Sequence, residues 1–315
     1  MSGLTMATGI LSATVAAGTI LLLACLGEIL SERAGVMNLG VEGMMMVGAV
    51  FGFIAVQWTG NLLVGVLAAL VGGGLMALIH AFLSITLKTN QVVSGLALTI
   101  FGTGLGNFLG NPYVGVVRRA SFDNIAIPGL SRIPLLGPVL FDQNLLVYLS
   151  ILLVPLLWLL IFRTRWGLSL RATGENPAAA DTAGVNIFAL RYGYTIAGGA
   201  LAGLAGAYLS LAYNNSWMDT ITTGQGWIAV ALVIFAMWNP WKAMLGSYLF
   251  GFIIIMGFRI QAYGIAMPFY IVNLLPMLPY LFTIIVLIFV TGSFGGRRKE
   301  GAPEALSVPY DREAR

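Results

Sequence analysis

The sequence predicts an all-α polytopic membrane protein, and its composition and the spacing of its charged residues predict this class. Of 315 residues, 58% are hydrophobic and 9% are charged, and the mean hydropathy is +0.91. A soluble domain carries roughly 25% charged residues, so a soluble globular fold is excluded. Lys88 is the only charged residue between Gly43 and Val117. Because about 20 apolar residues cross a bilayer core as a helix, such long uncharged stretches predict membrane-spanning helices.

Apolar segments follow one another along the whole chain and predict about nine crossings. The segment 226–238 is short for a full crossing, and Asn239-Pro240 follows it at once. We therefore expect a half-helix or a re-entrant piece there. The alternative is that 226–258 forms a hairpin that does not cross the membrane. The predicted segments are, approximately, 8–30, 40–58, 62–87, 91–110, 144–162, 188–212, 226–238, 242–258 and 268–291.

The lysines and arginines of the connecting loops predict the orientation. Nine lie on one side and four on the other, and cytoplasmic loops carry the excess of positive charge. The N-terminus is therefore expected outside and the C-terminus in the cytoplasm, although the Arg118-Arg119 doublet lies on the less basic side. The nine are Arg33, Lys88, Arg163, Arg165, Arg171, Lys242, Arg297, Arg298 and Lys299, and the four are Arg118, Arg119, Arg132 and Arg259.

The chain divides into a single transmembrane domain over 1–296 and a charged tail over 297–315. An external loop at about 112–143 carries four prolines among apolar residues, which indicates an ordered cap on the membrane surface. A second long loop, at about 163–187, lies on the cytoplasmic side. The tail is charged and contains prolines, a composition typical of a disordered end.

The internal loop carries the signature of a short helix over 177–183. Asn176 is a good N-cap, Pro177 suits the first helical position and Gly184 suits the left-handed C-terminal position. At 1.5 Å per residue this helix is about 10 Å long. Its surface is nearly all alanine, which favours docking in a groove of another protein, whereas an ordinary loop helix is the alternative.

The junction 27–46 is the second segment rich in signals. Asn38 and Glu42 lie four residues apart, so they share one helical face, and we interpret this face as a polar stripe toward a central cavity. The alternative is that Glu42 pairs locally, for example with Arg33, and only fixes the turn. The many helical glycines, 40 in the whole chain, are interpreted as contacts for close helix packing.

Several chemistries are excluded or disfavoured. No lysine follows a glycine, so the Gly-Lys of a phosphate-binding Walker A loop is missing. One histidine and one cysteine, Cys25, exclude a multi-His or multi-Cys metal site, and we expect no catalytic residues, no metal and no cofactor on this chain. Nucleic acid is a poor explanation of the mildly basic charge. For ion-coupled transport the acids are Glu28 and Asp219, both expected at interfaces, and Glu42, the only one expected within the membrane.

Four separated blocks resemble permease subunits of bacterial ABC importers. The permeases that they resemble are of the type that carries ribose and branched-chain amino acids. Within this type, the blocks are most similar to the nucleoside-transport branch. Sugar permeases of this family usually have a GIDLSVG-like stretch where this chain has GVMNLGVEG, which favours nucleosides over simple sugars. The resemblance covers about 20–295, and its blocks are GEILSERAGVMNLGVEGMM, FRTRWGLSLRATGENPAAADTAGVN, GGALAGLAGAYLSL and GQGWIAVALVIFAMWNP.

The resemblance implies a type II-like permease bundle in the cytoplasmic (inner) membrane, without enzymatic activity of its own. It implies three protein partners: a second related permease, a cytoplasmic ATPase that binds ATP and Mg²⁺, and an extracytoplasmic solute-binding lipoprotein. The alternatives are a simple-sugar ABC permease, a stand-alone ion-coupled transporter and a non-transporting scaffold. The residues expected to couple to the ATPase are Arg171, Glu175, Asn176, Pro177, Ala178, Ala179, Ala180, Asp181 and Gly184. Those expected to line the translocation pathway are Asn38, Glu42, Met45, Gln91 and Asn107.

Overall fold

The computed structural model describes residues 3–219, 221–262, 275–294 and 301–312. Two short strands pair in the loop at about 112–143, and all other regular elements of these residues are helical. The strands are β1 (Asn124–Ala126) and β2 (Asp142–Asn144), and the α-helices are α1 (Gly3–Arg33), α2 (Val41–Thr59), α3 (Leu62–Ala81), α4 (Gln91–Gly110), α5 (Leu136–Leu140), α6 (Leu145–Arg163), α7 (Arg165–Glu175), α8 (Pro177–Thr182), α9 (Ile187–Tyr208), α10 (Gln225–Ala236), α11 (Pro240–Ala262) and α12 (Leu278–Phe294).

Seven helices in the described part of the chain are long and apolar enough to cross a membrane. They are α1, α2, α3, α4, α6, α9 and α11, and each matches a predicted segment. α10 has 12 residues, as expected for a half-helix, and α12 has 17. The predicted segment 268–291 begins outside the described residues, so the expected nine crossings are not confirmed.

Helix α1 forms the centre of the bundle. Its residues from 17 onward are all buried, as is the turn that follows as far as 36. A helix that is apolar on every side belongs in an interior, and α1 accordingly packs against α6, α9, α10 and α11.

Glycines set the distances between the central helices, as the sequence predicted. A Cβ atom on Gly206 of α9 would lie 1.9 Å from the carbonyl oxygen of Met45 on α2. One on Gly73 of α3 would lie 2.2 Å from the carbonyl oxygen of Gly199. Since no side chain fits there, the backbones meet directly, which is how membrane helices pack closely.

The loop at about 112–143 is ordered, as predicted. β1 pairs antiparallel with β2, and α5 lies between them in sequence. Arg118 donates to the carbonyl oxygen of Asn214 at 2.5 Å, and Arg119 donates to that of Gln57 at 3.2 Å. The Arg118-Arg119 doublet, which lies on the less basic side of the chain, thus donates to backbone carbonyls near the ends of α2 and α9, where positive charge is favourable.

The prediction of a disordered tail is wrong for residues 301–312. They pack on the end of the bundle that carries α7 and α8, here named the α8 face, and Ala305 is 7% exposed. The cause is a set of backbone hydrogen bonds and charge pairs that composition alone does not reveal, such as the bond from Ala305 N to Gly174 O at 2.9 Å.

Candidate coupling and pathway sites

The short helix predicted in the loop at about 163–187 is present with the predicted caps. The Asn176 side chain accepts from the backbone N–H of Ala179 at 3.0 Å, and Pro177 is the first residue of α8. Gly184 has φ +84°, and its N–H donates to the carbonyl oxygen of Asp181 at 2.9 Å. The helix ends at Thr182, one residue earlier than predicted.

α8 presents small methyl groups outward. The side chains of Ala178 and Ala179 are exposed, whereas Ala180 is 4% exposed and faces the bundle. Glu175 is exposed just before the helix, and the Arg171 guanidinium carbon lies 5.6 Å from the centre of the Phe162 ring. The arrangement is a short capped helix with an exposed alanine tip. Its docking role stays a prediction.

Asp181, the one charged residue of α8, is engaged by the tail. Its carboxylate accepts from Arg312 Nε at 2.7 Å and from the Tyr310 hydroxyl at 2.9 Å. These hydrogen bonds, the one from Arg312 first, lower the pKa of the Asp181 carboxyl below its ordinary value. Asp181 is therefore ionised throughout the physiological range.

Asn38 and Gln91 hold the turn between α1 and α2. The backbone N–H of Asn38 donates to Glu28 Oε1 at 3.0 Å, and the Asn38 side chain accepts from Gly40 N at 3.0 Å. Gln91 Oε1 accepts from Met37 N at 2.7 Å. Asn38 and Gln91 are 1% and 2% exposed, so both lie inside the helix packing of this chain.

Glu42 caps the half-helix α10. Its two carboxylate oxygens accept from the backbone N–H groups of Gly224 at 2.9 Å and Gly226 at 2.7 Å. These groups begin a helix of 12 residues, about 18 Å long, which is shorter than the roughly 30 Å of a bilayer core. A carboxylate is favourable there because it meets orphan donors and the positive end of the helix dipole.

The other two predicted pathway residues lie elsewhere. Met45 is fully buried against α9. Asn107 is half-buried and lines an open surface cavity of about 570 Å³ with Asn111 and Asp219 among its other residues. The five predicted pathway residues therefore do not surround one common cavity.

A cavity of about 300 Å³ lies beside the start of α10, and we name it the α10 cavity. Its polar lining includes Asn214, Thr223 and Gln225, and Tyr213 and Tyr280 add rings that carry hydroxyl groups. Its volume is at the lower end of small-molecule sites, which are mostly apolar with a few converging polar groups. Sequence reasoning missed this site, although the polar run NNSWMDTITTGQG before the half-helix was a signal for it.

Two further carboxylates are buried near the α8 face. Glu28 and Glu32 on α1 are 1% and 3% exposed, so both are buried inside the protein, and the expectation that Glu42 is the only acid within the membrane stays a prediction. Glu32 accepts from the Trp238 indole N–H at 2.5 Å, and Arg33 donates to the carbonyl oxygen of Trp238 at 3.4 Å. These contacts join α1 to the turn between α10 and α11.

Comparisons with known proteins agree with this architecture. A family model described as branched-chain amino acid transport system / permease component matches residues 10–291. The chain is 43% identical to "Putative glucose ABC transporter permease protein TsgC13" of Haloferax volcanii, over 98% of both chains. It is 35% identical to nucleoside ABC transporter permease protein NupC of Lactococcus lactis, over 93% of both, and 34% identical to guanosine ABC transporter permease protein NupQ of Bacillus subtilis, over 96% of both. No solved structure matches the chain.

Proposed function

The chain belongs to the branched-chain amino acid transport system permease family and is an ABC transporter permease subunit, and on that premise we propose that it imports nucleosides. In this proposal it forms the translocation path of an ATP-driven, binding-protein-dependent importer. The observation that carries the ATP-driven part of the proposal is α8, a capped helix with an exposed alanine tip.

We propose that α8 is the coupling helix for a cytoplasmic ATPase subunit. The N-cap and the left-handed Gly184 fix the shape of α8, and the exposed methyl groups of Ala178 and Ala179 let another surface approach closely. The proposed coupling set also includes Arg171, Glu175, Asn176, Pro177, Ala180 and Asp181, which belong to α7, α8 and the residue between them. ATP and Mg²⁺ bind the partner, in agreement with the missing Gly-Lys sequence on this chain.

The α10 cavity is the proposed place where solute passes. Amide and hydroxyl groups of Asn214, Thr223 and Gln225 can bind the hydroxyls of a sugar ring, and the Tyr213 and Tyr280 rings can stack on a planar base. The relatives named for nucleoside and guanosine transport support a nucleoside. The Haloferax relative named for glucose supports a monosaccharide as the second candidate.

The Glu42 cap supports an uncharged solute. A half-helix that ends inside a transporter commonly directs its positive end at anionic solutes. Here the two N–H groups are already occupied by the Glu42 carboxylate, which cancels this attraction. Glu42 is thus proposed to act on the pathway by fixing the first turn of α10, which lines the α10 cavity. Asn38 and Gln91 fix the turn that precedes Glu42. Met45 and Asn107 stay proposed pathway residues on α2 and α4.

The assembly that we propose contains a second related permease and an extracytoplasmic solute-binding lipoprotein. It places the α8 face in the cytoplasm and the external loop outside the cytoplasmic membrane. The excess of lysine and arginine on the α8 side supports this orientation, and the family of the chain supports the partners.

Uptake by the reconstituted complex tests the choice of solute. Proteoliposomes with the ATPase, the second permease and the binding protein are given labelled guanosine or labelled glucose, each competed by the other. We expect ATP-dependent guanosine uptake that glucose does not reduce. In Gln225→Ala the KM for uptake should rise, whereas Gln57→Ala, at the outer end of α2, should match the parent protein. Uptake of glucose alone would favour the second candidate.

A further inference from the structure

Residues 301–312, the tail strap, cross the α8 face and contact elements that are distant in sequence. We infer that the tail strap ties the coupling helix to the turn between α1 and α2, so that a displacement of α8 reaches the transmembrane helices. This inference rests on the proposed function of α8.

The first part of the strap holds α7 and the α1–α2 turn. The backbone N–H of Ala305 donates to the carbonyl oxygen of Gly174 at 2.9 Å, and that of Ser307 donates to Gly35 O at 3.3 Å. Gly35 has φ +85° and lies in the turn itself. Ala305 is 7% exposed, so this part of the strap is seated in the surface.

Arg191 of α9 joins the strap to the same turn. Its Nη1 donates to the carbonyl oxygen of Val308 at 3.1 Å, and its Nε donates to that of Ala34 at 3.1 Å. Arg191 is 1% exposed. One buried guanidinium therefore fixes the strap and the end of α1 to each other.

The last part of the strap holds α8. Arg312 and Tyr310 both donate to the carboxylate of Asp181. Asp311 pairs with Lys88, between α3 and α4, at 2.6 Å, and the Tyr310 ring lies 6.0 Å from that of Phe188 on α9. The end of the strap therefore carries two ion pairs, in which Arg312 binds Asp181 of α8 and Asp311 binds Lys88 before α4.

The strap leaves the tip of α8 open. Ala178 and Ala179 stay exposed with the strap in place, so the strap does not cover the surface proposed to meet the ATPase. It binds the side of the helix through Asp181 and continues to Gly35. The turn at Gly35 leads to Asn38, whose N–H donates to Glu28, and then to Glu42 in the first turn of α2, which caps α10. A continuous chain of contacts therefore runs from α8 to the half-helix.

The experiment uses the full complex in proteoliposomes and measures ATP hydrolysis, solute uptake and co-purification of the ATPase. A chain truncated after residue 300 should still bind the ATPase and hydrolyse ATP, while uptake per ATP falls about 5-fold or more, the usual size of a coupling between sites. Equal uptake per ATP in the truncated and parent complexes would overturn the inference. Loss of ATPase binding would overturn it as well, because the strap would then act in docking and not in transmission.

Charge reversal tests the same contact without removing residues. Arg312→Asp and Asp181→Arg should each lower uptake per ATP, about 2-fold to 5-fold for an exposed pair, and the double variant should recover. Glu304→Gln, with an exposed side chain in the same strap, is the matched control and should leave coupling unchanged. No recovery in the double variant would count against the inference.

A chemical readout reports on the strap independently of transport. Ala305→Cys places a thiol at a buried position and Val308→Cys at an exposed one, 53% accessible, while native Cys25 is buried. Maleimide should label position 305 much more slowly than 308, and Arg312→Asp should reduce the difference. If the parent complex itself neither binds the ATPase nor transports, the proposed function of α8 fails; if it transports and 305 is labelled as fast as 308, only the strap inference fails.

Discussion

Replacing Glu42 by glutamine tests the cap of the half-helix most directly. The substitution preserves the size of the side chain and removes its charge. The parent carboxylate accepts from Gly224 N and Gly226 N at 2.9 and 2.7 Å. One amide oxygen can serve only one side of this pair, so the second N–H then faces the amide NH₂ group.

The size of the effect follows from these two contacts. Leaving a buried donor unpaired costs about 1–3 kcal/mol, and losing a negative charge at a helix N-terminus costs about 0.3–1 kcal/mol. We expect the opening of the first turn of α10 to become easier by about 1.3–4 kcal/mol, that is, about 10-fold to 1,000-fold in its equilibrium constant.

Amide hydrogen exchange in nanodiscs measures this opening. In Glu42→Gln the amides of residues 224–228 should exchange faster by that factor, while those of α8 keep their rate. Transport should also decline, because the first turn of α10, which lines the α10 cavity, is no longer fixed. Glu304→Gln is the control for the loss of a carboxylate and should change nothing in α10. Unchanged exchange at 224–226 would refute the capping role of Glu42.

Three further predictions concern packing, docking and pH. Gly206→Ala should lower the thermal unfolding temperature in detergent, since overpacking costs about 1–3 kcal/mol and the new Cβ would meet a carbonyl of α2 at 1.9 Å. The control Gly104→Ala, whose new Cβ meets nothing within 4 Å, should leave this temperature unchanged. Equal unfolding temperatures of the two variants would count against direct backbone packing. Ala179→Arg should abolish ATP-driven uptake while membrane insertion stays normal. The control Ala126→Arg, in the loop at about 112–143, should leave uptake unchanged. Normal uptake by Ala179→Arg would remove α8 from the coupling role. Because pairing lowers the pKa of Asp181, the pairing is complete above the ordinary carboxyl pKa of about 3.9 and is lost as pH falls through the lower folded value. Both maleimide rates rise with pH as the thiols ionise, but the ratio of the rates at positions 308 and 305 should be constant from about pH 6 to 8. A change of this ratio within that range would be contrary to the assignment.

Local signals predicted the elements that depend on near neighbours. Asn176, Pro177 and Gly184 are enough to define α8, because a cap, a preset φ and a left-handed residue act within one or two turns. The half-helix at α10 was predictable for a similar reason, since its apolar run is short and ends at Asn239-Pro240.

Contacts between distant segments were not predictable in the same way. The sequence drew attention to Glu42, but its hydrogen-bond partners lie more than 180 residues away, and no spacing along the chain reveals them. Charge and proline content suggested disorder for the tail, yet Asp181 and the carbonyl of Gly35 offer it specific partners. The pathway residues were chosen from polarity, and polarity does not distinguish a lining residue from a buried one such as Gln91.

The proposal on which the others depend is that a separate ATPase drives transport by this chain through α8. Its most direct test is solute accumulation in proteoliposomes that contain the permease pair alone, compared with proteoliposomes that also contain the ATPase, the binding protein and ATP. We expect accumulation only in the second case, and its loss in Ala179→Arg. Accumulation against a gradient by this chain without the ATPase would contradict the account.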